Sequence, residues 1–156
     1  MLEIAIPGRE TIHARHLLLD VNGTLTVDGS LLPGVSERIE RLKKDLHIAL
    51  ITADTFGTAQ GVAGELGVHM TALHGDEGGE EKAALVRRLG KGRVIAIGNG
   101  ANDALMVEAA ALGIVVLQTE GAAVSALQCA DIVFPSIDAA LDALLDTSRL
   151  VATLRK

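Results

Sequence analysis

The chain of 156 residues has no tryptophan, no tyrosine, only two phenylalanines and a single cysteine. Without aromatic rings the interior must be filled by Leu, Ile, Val and Ala, which dominate a hydrophobic fraction of 49%. An aliphatic core of that kind suits a parallel sheet covered by helices. With Cys129 alone no internal disulfide can form. The opening Met1-Leu2-Glu3-Ile4-Ala5-Ile6-Pro7-Gly8 carries neither the basic region nor the apolar stretch of a secretory signal, so cytoplasmic residence is expected. Positive charge is also scarce. A net charge of -6 and a pI near 5.3 exclude nucleic acid and anionic membrane surfaces as main partners, so any phosphate must be bound locally. No apolar run approaches the ~20 residues of a membrane span. The length is that of one domain, expected to cover residues 1–156.

What is present is an alternation of short β-type runs with helical patterns. Strands are expected at His16–Val21, His47–Ile51, His69–Leu73, Arg93–Ile97, Gly113–Leu117 and Asp131–Phe134. Helices are expected at Gly34–Lys44, Thr58–Leu66, Glu80–Leu89, Asp103–Ala111, Ala122–Leu127 and Ile137–Leu145, with Gly67, Gly90 and Gly113 just past three of the ends. The fold class is therefore α/β, a doubly wound and mainly parallel sheet with helices on both faces. Leu2–Ile6 and Thr11–Ala14 read as a hairpin or an added antiparallel edge, and Arg149–Lys156 as a fraying end or cap of the last helix.

Ligands of such sheets bind beyond the carboxyl ends of the strands, and three polar groups fall there: Asp20, Thr52 and Asn99. Asp20 ends an apolar run and enters the turn Val21-Asn22-Gly23-Thr24, a placement that suits a nucleophile for phosphorus. The Asn22 carbonyl and the amides of the Gly23 turn are placed to meet Mg²⁺ and phosphate oxygens, and Thr52 to donate a hydroxyl to phosphate. Lys82 would neutralise Asp20 and phosphate, and Asp103 would hold the metal. Singly, each residue has a bland competitor: a turn Asp, a strand Thr, a solvated helical Lys. The ordered combination carries the signal. His13, His16, His47, His69 and His74 lack metal spacing and read as structural, as does Cys129 in its Ala-rich stretch.

Asp20-Val-Asn-Gly-Thr-Leu25, Ile51-Thr-Ala-Asp54 and Gly98-Asn-Gly-Ala-Asn-Asp-Ala104 resemble the motifs of the haloacid dehalogenase superfamily, and within it the phosphorylation domain of P-type ATPases. The flanks Ala110-Ala-Leu-Gly-Ile114 and Ala130-Asp-Ile-Val133 are similar as well, so the resemblance runs from about Leu17 to Phe134. It implies a Rossmann-like core, Mg²⁺ dependence, an aspartyl-phosphate on Asp20 and a small phosphorylated substrate. By the same resemblance Gly23, Thr52, Ala53, Lys82 and Asn102 bind phosphate, while Asp20, Asn22, Asn99 and Asp103 surround the metal. Asp54 has a supporting role on that ground alone.

Two departures qualify the likeness. Leu25 to Leu50 holds little more than one helix and one strand, with no room for the pumps' ATP-binding domain or for a large cap, so this chain alone is not expected to pump ions. The site should be open unless a neighbour in a homo-oligomer covers it. The second departure is amidation. Asn22 stands where relatives place the general acid/base, and Asn99 where they place a metal-ligating Asp. Three readings follow: a slow Mg²⁺-dependent phosphohydrolase or phosphotransferase, an attenuated phosphate- or metal-binding regulatory module, and a receiver-like phospho-acceptor switch.

Overall fold

Each central strand buries both faces because nearly every residue on it is aliphatic. Strand β3 (His16–Leu19) sends Leu17 and Leu19 into one apolar layer and Leu18 into the other. Strands β6 (His47–Thr52) and β8 (Val94–Gly98) divide likewise, Leu50 and Ile97 to the first layer, Ile51 and Ala96 to the second. The computed structural model describes residues 1–53, 57–73 and 78–156, so Asp54 and His74 lie outside the described residues. Its main sheet is completed by β7 (His69–Ala72), β9 (Leu112–Val116) and β10 (Ile132–Phe134), in the order β10-β9-β8-β3-β6-β7 with every neighbour parallel.

The first layer is covered by α1 (Val35–Leu42), α2 (Thr58–Leu66), α6 (Ile137–Leu145) and α7 (Ser148–Leu154). The second is covered by α3 (Gly78–Leu89), α4 (Ala104–Ala109) and, beside them, α5 (Val124–Cys129). Helices α1 and α6 are also tied at their rims, where Arg38 Nε and Nη2 donate to the two carboxylate oxygens of Asp142 at 2.7 and 3.0 Å. Asp138 lies 3.4 Å from the same guanidinium. Among the described residues no helix is long and apolar enough to cross a membrane.

The expected α/β, doubly wound architecture is the one observed, and four details differ. The strand expected over His16–Val21 stops at Leu19, because the Val21 carbonyl gathers the amides of Thr24, Leu25 and Thr26 at 3.2, 2.9 and 3.1 Å and curls the chain. The segment Leu25–Leu50 holds more than one helix and one strand. It adds an antiparallel hairpin of β4 (Thr26–Val27) and β5 (Ser30–Leu31), turned by Asp28 and Gly29 at φ 50° and 77°. Asp-Gly at such a turn is a strong hairpin signal. Gly113 is no helix end but an interior residue of β9, where a Cβ would meet the Val107 carbonyl oxygen of α4 at 2.3 Å. The carboxyl-terminal segment forms α7 because Leu150 and Leu154 are buried in the first layer. At the other terminus β1 (Leu2–Ile4) and β2 (Ile12–Ala14) pair as a separate antiparallel hairpin.

Candidate active site

The chain runs outward from β3 to β6 and β7, then returns to the other side of β3 to build β8, β9 and β10. A crevice opens where the direction reverses, between the carboxyl ends of β3 and β8. Asp20 and Asn99 are the first residues beyond those ends, and Thr52 ends the adjacent β6. The Asp20 amide donates to Ile97 O at 3.0 Å, which fixes the nucleophile loop to β8. A cleft of about 260 Å³ there is lined by Asp20, Asn22, Thr52, Ala53, Asn99, Gly100 and Asn102. Six of the residues singled out from the sequence for phosphate or metal thus share one wall-to-wall space.

Lys82 enters from α3 and is fully buried. Its Nζ lies 2.7 Å from Asp20 Oδ1 and 2.6 Å from Asp103 Oδ1, so one ammonium joins two carboxylates. Burial draws its pKa down, but the two carboxylates more than offset this and hold it above the ordinary lysine value. For Asp20, burial first and the Asp103 charge second push the carboxyl up to about 6, against the pull of Lys82 and the Val21 amide. Asp103, expected as a metal ligand, is fully buried and does not line the cleft. Its Oδ2 accepts from the amides of Asn99 and Gly100 at 3.0 and 2.9 Å. Gly98 permits this fold-back, since a Cβ there would sit 2.5 Å from the Asp103 carboxyl carbon.

A family model described as hydrolase, haloacid dehalogenase-like hydrolase, matches residues 2–111. The chain belongs to this family. An uncharacterised protein of Methanocaldococcus jannaschii is 49% identical over 63 residues, 40% of this chain and 68% of that one. A probable copper-transporting ATPase of Arabidopsis thaliana is 33% identical over 125 residues, 75% of this chain but 12% of the ATPase. Among solved structures, the 3-deoxy-D-manno-octulosonate 8-phosphate phosphatase of Moraxella catarrhalis, in complex with magnesium, phosphate and KDO, superposes with a TM-score of 0.69 at 19% identity. The match covers 92% of this chain and 95% of that one, a likeness of fold.

Within this haloacid dehalogenase-like core, three contributors escaped the sequence reading. The Thr24 hydroxyl lies 3.3 Å from Asp20 Oδ2 and 3.2 Å from Asn99 Oδ1, bridging the nucleophile loop and the turn after β8. Gln118 Nε2 donates to Thr24 O at 2.7 Å, and Asn99 Nδ2 to Gly121 O at 3.1 Å. Thr24 stands inside the motif and was within reach of inspection; Gln118 and Gly121 carry no local signal. The donor set facing the cleft is oxygen from carboxylate and amide groups, the chemistry of a hard divalent cation such as Mg²⁺. Gly23, at φ +76°, lets side chains close in on the nucleophile loop: a Cβ there would lie 2.5 Å from Glu120 Oε2 and 2.6 Å from Asn99 Nδ2. The residues fit such an ion. His16 and His47 stay apart from it, their rings tilted against each other 5.6 Å apart at the start of β3 and β6, the far end of the sheet.

Proposed function

We propose that this chain transfers a phosphoryl group from a small phosphorylated substrate to Asp20 and then to water. The observation that carries this reading is Lys82 held 2.7 Å from the carboxylate that ends the central strand. Lys82 occupies Oδ1, which leaves Oδ2 to approach phosphorus, with Thr24 orienting it. The Oδ2–P bond forms as the P–O bond to the leaving group breaks, and the aspartyl-phosphate is then cut by water to give phosphate and the free carboxylate. Thr52, Ala53 and Asn102 line the cleft where the phosphoryl oxygens would lie, and Lys82 balances their charge. Asp20, the Asn22 carbonyl and Asn99 would hold Mg²⁺, which when bound supplies charge stabilisation to the phosphoryl oxygens. Asp103 positions Lys82 and the Asn99 turn from behind rather than touching the ion.

The cleft accepts a phosphoryl group with a modest substituent, in keeping with a capless core acting on small molecules in the cytoplasm. Turnover is slow because Asn22, exposed at the cleft mouth, cannot move a proton, and such help is worth ~10²–10⁴ in rate. The leaving group must depart as an anion or take its proton from solvent. A second reading, a phosphate- or metal-binding module without useful turnover, draws support from Asn22 and from the Asn99 amide pinned by Thr24 and Gly121.

Mass spectrometry after incubation with acetyl phosphate and Mg²⁺ tests the reading. It should show one added phosphoryl group on Asp20, absent in Asp20→Asn; label elsewhere, or none, overturns it. Steady-state rates should be measurable for p-nitrophenyl phosphate and very low for alkyl phosphates. Asn22→Asp should narrow that gap and shorten the phosphoenzyme lifetime by up to ~10². Phosphate binding without any phosphoenzyme would select the second reading.

A further inference from the structure

The loop between β9 and α5 is fastened to the cleft by three hydrogen bonds. Gln118 Nε2 donates to Thr24 O at 2.7 Å, Asn99 Nδ2 to Gly121 O at 3.1 Å, and the Ala123 amide to Asn99 O at 2.9 Å. Its base is held as firmly, with the amides of Leu117 and Gln118 donating to Phe134 O and Pro135 O, both at 3.0 Å. Gln118 adopts a left-handed backbone at φ +50°, unusual for a residue with a side chain. Such a conformation persists where the surroundings over-determine it, and it concentrates at functional sites.

Between the two fastenings lies Glu120. A Cβ placed on Gly23 would sit 2.5 Å from Glu120 Oε2, 2.6 Å from Asn99 Nδ2 and 3.1 Å from Asn99 Oδ1, so the carboxylate and the amide meet at one point beside the nucleophile loop. Glu120 is exposed, and among the described residues neither Lys nor Arg pairs with it. In a chain of net charge -6, an exposed carboxylate with no basic partner draws cations toward this side of the nucleophile loop.

We infer that Glu120 is the second carboxylate of the divalent-cation site, acting on water bound to the ion and replacing the charge that Asn99 lacks. The inference rests on the phosphoryl-transfer reading for the cation itself. A water-mediated role matches Mg²⁺, which keeps several of its waters.

The test is Mn²⁺ binding to the whole chain without substrate, read from the electron paramagnetic resonance of free Mn²⁺. Glu120→Gln should weaken affinity by roughly 10–100-fold, the range for groups that act just outside a metal's ligands. Glu37→Gln, on the exposed side of α1, should leave it unchanged. In an Asn99→Asp background, where the charge is restored, Glu120→Gln should cost much less. If Asp20→Asn abolishes Mn²⁺ binding while Glu120→Gln leaves it intact, the role of Glu120 is overturned and the phosphoryl-transfer reading stands. If the wild type binds no Mn²⁺, or Asp20→Asn binds it normally, both fall.

Discussion

Two cations in this molecule each sit between two aspartates. Lys82 joins Asp20 and Asp103 at 2.7 and 2.6 Å with its side chain fully buried. Arg38 joins Asp142 and Asp138 at 2.7 and 3.4 Å with a quarter of its side chain exposed. The geometry is similar and the consequences are opposite. At the rim, water screens both partners, and the pair fastens α1 to α6 with little at stake. At the strand ends, Lys82 and Asp103 are shut off from water and Asp20 meets it only at the cleft, so each charge depends on the others and the carboxyl of Asp20 is pushed up to about 6. Burial, more than distance, decides how strongly an ion pair perturbs its own members.

The largest effect should come from removing the buried cation. Lys82→Met leaves two carboxylates facing each other without water and should destabilise the fold by about 3–5 kcal/mol. Urea denaturation reads this directly, and adding Asp103→Asn should recover part of the loss. A cost under about 1 kcal/mol would mean that water reaches the cluster and the contrast with Arg38 is false.

Asp20→Asn should act in the other direction. Folded Asp20 keeps its proton to about pH 6, whereas the unfolded carboxyl releases it near its ordinary value, so the wild type loses stability as pH rises through that window. The Asn variant, spared this loss, should be more stable by about 1–3 kcal/mol at pH 7, with the gain shrinking toward pH 4. A denaturant series from pH 4 to 8 measures it, and a variant less stable at pH 7 would contradict the sign.

Asp142→Asn should cost least, about 0.5–1 kcal/mol, since water and salt weaken the pair. The Arg38 hydrogen bond holds the Asp142 carboxyl below its ordinary value. Its contribution is therefore complete above the usual carboxylate range and vanishes as pH falls through the depressed value. Thermal melts at low and high salt should show the difference between variant and wild type closing as salt rises.

The same contrast explains what was legible in the sequence. Asp20, Thr52 and Asn99 could be placed together because topology carries strand ends to a common edge, and strands announce themselves as aliphatic runs. Lys82 was legible only by its order among those motifs, since two neighbouring glutamates give it the look of a surface residue. For Asp103 the structure adds what the motif did not announce: its carboxylate accepts from the amides of Asn99 and Gly100, four and three residues before it, and so shapes the turn. Arg38 and Asp142, separated by 104 positions, left no trace. Gln118 and Glu120 were equally silent, because loop residues reach their partners through tertiary placement that no periodicity encodes.

The Val21 carbonyl has one further consequence, for motion. It serves the amides of Thr24, Leu25 and Thr26 and also the Thr26 hydroxyl at 3.3 Å. An oxygen has two lone pairs, so four donors share what would satisfy two, and none of the bonds is independent of the others. Swinging this one peptide plane releases all of them together. The stretch behind the nucleophile therefore opens to hydrogen exchange as a single cooperative unit rather than fraying amide by amide, and any ligand that steadies the Val21 peptide slows exchange at all three.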